Sequence, residues 1–324
     1  MQETGMIFDF ELIQVSEVKN SNAMEKEGLI RTINRLIDFG CVIDTIATDR
    51  HVQIKCLMRD TYEDIKHQYD VWHVAKSIRK KLAEKGRTKA TAELIGWIQC
   101  ISNHLWNCSQ HCEGSASILK ERWLSLLHHI TGEHEWKEGE ETKTCGHAAY
   151  SPEQNERKKW INPTSKAYRE LESVVLDKGI LDSLSGLTDF CHTGNIESYH
   201  SMMLQYCPKR LHFPYKSMLA RTQLAAIDHN SHIGRGQMVA SKGPNKGSLM
   251  YSQAYSKMCK SWSVRPVFEK KTYSFVSVLM DRVVKCKRDG LSLPPCAVPT
   301  LPANIAPIPK PQKSQAILRH SSRF

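Results

Sequence analysis

The sequence predicts an α/β fold, and three observations carry that prediction. Residues 41–51 (CVIDTIATDRH) hold five β-branched side chains, Val42, Ile43, Thr45, Ile46 and Thr48, in a short apolar run of the kind an interior strand requires. Strand-like and helical segments alternate on either side of it, the rhythm of a layered α/β fold. The run also ends in Asp49-Arg50-His51, and the carboxyl end of a buried strand is where open α/β sheets keep their chemistry. Asp49 is therefore either the cap of the next helix or a ligand.

The elements follow in order. Residues 6–18 (MIFDFELIQVSEV) alternate as a strand after a Thr4-Gly5 turn. Ser21-Asn22 offers an N-cap, with Glu25 reaching back and Gly40 stopping the helix. The apolar strand follows, then a helix from His51 to about Asp60. IKHQYDVWH reads as a second short strand and VAKSIRKKLAEKG as a basic helix. Residues 91–185 read as a helical insertion with its own small core, carrying Trp97, Trp106, Trp123 and Trp136. Within it, residues 132–160 read as a polar, mobile loop. Residues 186–235 return to the core through Thr193-Gly194-Asn195, a helix-start signal, and two helices. Residues 236–293 give a Gly-rich basic loop and a last helix. From Pro294 to 324 the Pro-rich composition predicts polyproline or disordered chain. The domain division is thus 1–90, 91–185, 186–235, 236–293 and 294–324.

Composition narrows the function. A net charge of +11 and a pI near 9.1 favour a polyanionic partner, nucleic acid before membrane. No run of apolar residues is long enough to span a bilayer, and the acidic start MQETGMIFDFEL does not resemble a secretion signal. An intracellular protein is expected. Eleven cysteines in such a chain read as reduced thiols or metal ligands, not as a disulfide framework.

Four constellations carry candidate chemistry. Asp49 and Glu197 sit on separate elements, and two-metal phosphoryl transfer needs acids that converge from separate elements on Mg²⁺ or Mn²⁺. Asp70-x-x-His73 lies where a strand becomes a helix, so Asp70 either caps that helix or works with His73. Cys108-x-x-x-Cys112 with Cys145-x-His147 offers four N/S ligands for a structural Zn²⁺, against the plainer reading of buried free thiols. Arg79-Lys80-Lys81, Arg157-Lys158-Lys159 and Lys209-Arg210 recur near these elements, as a phosphate track would require.

At these residues a resemblance enters. VSEVKNSNAMEKEGL, IDTIATDRHVQI, HQYDVWHVAKSIRKKL, ISNHLW, FCHTGNIESYHSMMLQYCPKR and ARTQLAAIDHN together resemble the Kolobok-type, THAP-associated DDE transposases over nearly the whole chain. The resemblance implies an RNase H-like core with a large α-helical insertion and a helical C-terminal part. It puts the second catalytic aspartate at Asp49, the glutamate at Glu197 and the supporting D-x-x-H element at Asp70 and His73.

No residue matches the family's first aspartate, and the resemblance therefore implies a core truncated at its N-terminus, without its first two strands. Residues 6–18 match the third strand instead, and Asp9 does not inherit the role. The expectation is a DNA-binding, self-associating, nuclear protein without a small-molecule substrate, inactive in strand transfer. A host-adopted, non-enzymatic DNA- or protein-binding module is the alternative, as is a fragment of an intact transposase gene. The apolar strand should lack a ladder partner, which predicts marginal stability.

Overall fold

The computed structural model describes residues 3–147, 150–257, 260–291 and 311–321. Among them the architecture is mixed α/β, about half helical, with three small two-stranded sheets. The chain forms two compact units, residues 25–194 and residues 1–24 with 195–324.

Local chemistry sets the ends of helix α1 (Ser21–Asp38). Its cap is Asn20, whose Oδ1 accepts from the Ala23 amide at 2.9 Å, one residue before the predicted Ser21-Asn22. Gly40 ends it as expected. At φ 79° it lets its own amide and that of Cys41 bond back to Ile37 and Leu36. Strand β1 (Thr45–Thr48), helix α2 (Val52–Thr61), strand β2 (Lys66–Tyr69) and helix α3 (Val71–Lys85) follow. This is the predicted rhythm, with α3 beginning three residues early.

The strands pair in parallel from Thr45 against Lys66 to Thr48 against Tyr69. α1 and α2 cover them through Ile33, Ile54 and Met58, packed with Ile43 and Ile46.

Two expectations fail here. Strand β1 is not buried on both faces: Val42 is 96% exposed and every β1 residue is half-buried. Residues 6–18 form no ladder, since they run irregularly into turns and β1 pairs with β2 alone. A four-residue strand with one partner has little surface to bury, so Val42 stays in solvent while Ile43 packs beneath α1 and α2.

The far edge of β2 is covered without a strand. The Asp189 amide donates to Gln68 Oε1 at 3.1 Å, the Val71 amide donates to the Cys191 carbonyl, and Lys66 pairs with Asp189. Such cover blunts an edge that would otherwise template aggregation.

Gly186 lies against the Tyr69 ring so closely that an added Cβ would stand 2.4 Å from Cδ2. Tyr69 is 5% exposed and has nowhere to go. Gly186→Ala is therefore expected to destabilise by about 1–3 kcal/mol, read as a lowered urea midpoint.

The insertion comprises α4 (Leu94–Gln110), α5 (Ala116–Leu124), α6 (Leu126–His129), strands β3 (Glu135–Glu138) and β4 (Glu141–Thr144), α7 (Pro152–Arg157), α8 (Lys166–Val175) and α9 (Lys178–Leu184). Ser115, Ser165 and Asp177 cap α5, α8 and α9 through their side-chain oxygens. The predicted loop of residues 132–160 instead contains the antiparallel β3–β4 hairpin, with Trp136 turned inward.

Nor does the insertion have a core of its own. Val74, Ile78 and Leu82 of α3 share one cluster with Ile101 and Leu105 of α4, Trp123, Leu171 and Ile180. The packing therefore runs across residue 90, where the composition suggested a boundary.

In the second unit, the start of the segment predicted as a strand docks on the end of α11 (Tyr215–Ser231). Asn230 both donates to the Ile7 carbonyl and accepts its amide, and His229 Nε2 meets the Gly5 carbonyl at 2.9 Å. A side-chain amide thus substitutes for the missing ladder. Helix α10 (Gly194–Met203) starts at the predicted turn.

The Gly-rich loop leads into an unpredicted antiparallel hairpin, β5 (Tyr251–Ser256) with β6 (Ser261–Pro266), then α12 (Ser274–Arg288) and α13 (Lys313–Leu318). Most of the Pro-rich tail, residues 292–310 and 322–324, lies outside the described residues. The part that is described contains α13, a helix where polyproline or disordered chain was expected.

Candidate metal centres

Two groups of side chains in residues 25–194 could hold a metal ion, their ligand atoms lying within 4.8 Å of one another. The first is Asp49, Asp70 and His73, three of the four residues expected to form one site. β1 delivers Asp49 at its carboxyl end and β2 delivers Asp70 at the equivalent end of its parallel neighbour. His73 follows one turn into α3. Its Nε2 lies 3.2 Å from Asp49 Oδ1 and 3.9 Å from Asp70 Oδ2.

The two acids differ sharply. Asp70 is 2% exposed at its side chain and saturated: Oδ1 accepts from the Trp72 amide at 2.7 Å, and Oδ2 accepts from the Thr193 amide and hydroxyl. It caps α3, the plainer of its two readings. Asp49 is 59% exposed and does not cap α2, whose cap position is His51. Its carboxylate faces His73. Glu197 lies on α10, in the other unit.

The second group is His129, His134, Cys145 and His147. The hairpin register explains half of it. Glu135 pairs with Thr144, so His134 and Cys145 are the next facing residues, and the Cys145 amide donates to the His134 carbonyl at 3.0 Å. α6 ends at His129, and the chain turns after β4 to return His147. Cys145 Sγ and His147 Nε2 lie 3.4 and 3.3 Å from His129 Nδ1. Both ring nitrogens of His134 are buried without a hydrogen-bond partner.

Burial, followed by the neighbouring His134 and His147, pushes His129 down to about 4. Burial also lowers His134 and raises the Cys145 thiol. Both shifts favour the neutral imidazole, the form that binds metal. This set of nitrogens and sulfur can hold a metal ion.

The predicted zinc quartet is thus half right. Cys145 and His147 belong to the cluster; Cys108 and Cys112 do not. Those two sit on and just after α4, 1% and 0% exposed in the main core. Cys112 Sγ donates to the carbonyls of Ser109 and Thr188, and burial pushes the Cys108 thiol up to about 12. A thiol held that firmly protonated is a poor ligand. The missed pair, His129 and His134, was legible as H-x₄-H, a spacing common in zinc sites.

The basic residues divide. Arg79, Lys80, Lys159, Lys209 and Arg210 are exposed. Lys81 is paired with Asp177 at 2.7 Å, and Lys158 lies over the Tyr150 ring at 3.7 Å. Arg157 is the last residue of α7.

Sequence reading missed the β5–β6 hairpin, which exposes Tyr251, Tyr255 and Trp262, the last at 70%. Around it, residues 235–271 carry eight lysines and arginines against one glutamate.

No family model, curated protein or solved structure matches the chain. Among the described residues no helix is long and apolar enough to cross a membrane.

Proposed function

We propose that this chain is a DDE transposase-derived, nuclear DNA-binding protein that has lost strand-transfer activity. The observation that carries the reading is the meeting of Asp49, Asp70 and His73 at the carboxyl ends of two parallel strands. That is where α/β sheets hold their ligands, and the residues agree with those the transposase resemblance names. The same geometry supports inactivity. Of the two acids in the cluster, Asp70 is consumed by its cap and by Thr193, which leaves Asp49 as the open carboxylate. One open carboxylate does not clamp two divalent ions around a phosphodiester. The reading carries two kinds of metal: Mg²⁺ or Mn²⁺ at the acids of an intact site, and a structural Zn²⁺ in the insertion.

A second reading, a non-enzymatic binding module, is favoured by the β5–β6 hairpin. Exposed aromatic rings between basic residues are what a stacking platform for single-stranded nucleic acid needs. Both readings share one experiment, in which labelled single-stranded and duplex DNA are titrated with the full chain at several salt concentrations, with Mn²⁺-dependent nicking assayed in parallel.

Affinity is expected to fall linearly on a log–log plot against salt, with no nicking. Trp262→Ala is expected to weaken single-strand binding by about 1–3 kcal/mol, and Asp49→Ala to leave binding unchanged. Nicking that Asp49→Ala abolishes would overturn the claim of inactivity. Absence of salt-dependent binding would overturn both readings.

A further inference from the structure

We propose that His129, His134, Cys145 and His147 bind one structural Zn²⁺ in a closed His₃Cys tetrahedron, and that this ion fastens the β3–β4 hairpin to the end of α6. The proposal stands independently of DNA binding.

Four observations carry it. Donor type comes first: three imidazoles and a thiol suit Zn²⁺, whereas Mg²⁺, Mn²⁺ and Ca²⁺ take oxygen ligands. Spacing is the second. The measured separations of 3.4 Å from Cys145 Sγ to His129 Nδ1 and 3.3 Å from His147 Nε2 to the same atom are those between neighbouring corners of such a tetrahedron. A shared ion explains why these atoms stand so close. The third observation is His134, whose two buried ring nitrogens have no hydrogen-bond partner. A buried polar atom left so is costly, and a metal bond to one nitrogen relieves it.

The fourth is the packing around the group. The His129 and His134 rings lie against Trp160 at 5.7 and 5.3 Å between centroids, and the His147 ring lies against Tyr150 at 4.6 Å. Gly132, at φ 87°, passes under Trp160, where a Cβ would stand 3.3 Å from the indole. Three of the four ligand residues are half-buried and His147 is exposed, so the aromatic rings wall the group on one side; four protein donors leave no open position, which is a structural and not a hydrolytic site.

The site adds to the anchoring that Trp136, stacked on His128 at 4.7 Å, and Lys143, paired with Glu121 at 2.7 Å, give the hairpin. Two strands of four residues do not hold together alone in water. The ligands lie at the end of α6, immediately before β3 and immediately after β4, so one ion ties all three ends. Binding requires the Cys145 thiolate, so one proton leaves the thiol as the Zn–S bond forms, with no change in oxidation state.

The test uses the full chain purified without added metal and dialysed against a weak chelator, with metal content read by mass spectrometry. About one zinc per chain is expected. Cys145→Ser and His134→Ala should each lower retained zinc at least tenfold, while Cys112→Ser should leave it at one. Absence of zinc, or zinc lost with Cys112→Ser but kept in Cys145→Ser, would overturn the proposal.

Because a ligand variant can misfold, the wild-type chain is also refolded with Co²⁺. Intense tetrahedral visible bands with one thiolate charge-transfer band are expected, and a weak octahedral spectrum would overturn the assignment. Stripping zinc from the wild type should speed amide exchange in residues 130–147 ahead of α3 and α4, and uniform exchange would overturn the stapling role.

Discussion

Replacing Trp123 by alanine is expected to cost about 3–5 kcal/mol, the largest single effect in the molecule. Trp123 is fully buried on α5, in the cluster that joins α3, α4, α8 and α9. Its Nε1 donates to the Val175 carbonyl at 3.1 Å. Truncation removes the largest fully buried side chain among the described residues and strands that carbonyl in an apolar setting. Because helices from both sides of residue 90 meet there, the loss should unfold residues 25–194 as one body. Urea denaturation followed by circular dichroism checks this: one transition should move to lower urea. Two separable transitions would show that the insertion has a core of its own. Trp123→Phe keeps most of the volume and loses the hydrogen bond, so a cost of about 1–2 kcal/mol is expected.

The second large effect lies in residues 195–324. Asp228 is 2% exposed at its side chain, with Lys271 Nζ 3.1 and 3.0 Å from its two oxygens and His232 Nδ1 2.8 Å from Oδ1. Burial pushes Asp228 up. The hydrogen bond and charge of Lys271, the Tyr206 hydroxyl and His232 outweigh burial and hold the carboxyl below its usual range. Tyr206 shows the counterpart, raised to about 12 by burial and by its bond to Asp228.

The folded state therefore binds this proton more weakly than the unfolded chain does. The stabilisation is complete above the unfolded carboxyl value, near 3.9 as an order-of-magnitude guide, and is lost as pH falls through the lower folded value. Asp228→Ala is expected to cost about 2–3 kcal/mol at pH 7. That is less than for a fully buried pair, since Lys271 is 28% exposed and can regain water. Urea midpoints measured from pH 7 down to 3 should converge for the wild type and Asp228→Ala. A difference that persists at acid pH would show that the role is packing and not charge.

Much of the chain was legible locally. Gly40 stops α1 because a left-handed residue costs glycine nothing, and Asp70 caps α3 because its short carboxylate reaches the Trp72 amide. Such features depend on residues within one helical turn. The meeting of Asp49 with Asp70 and His73 was also legible, through the resemblance and through the parallel strand rhythm that brings strand ends together.

The errors have two causes. Residues 6–18 alternate like a strand, but alternation specifies a face and not a partner, and Asn230 supplied a docking site where no ladder was available. The β3–β4 and β5–β6 hairpins escaped because polar residues on short solvent-facing strands leave no apolar period to read.

The sequence by itself determined the stop of α1 at Gly40, the start of α10 at Gly194, the basic charge and the presence of sulfur and imidazole in metal-ligand spacing. Tertiary structure alone decided which cysteine stands where a metal ion could be held. Cys108 and Cys145 are the same side chain in sequence. One is buried in the hydrocarbon core and held as a thiol, while the other is carried by a hairpin register to face three imidazoles. Ligation depends on which atoms converge within a few ångström, and pairing between distant segments settles that.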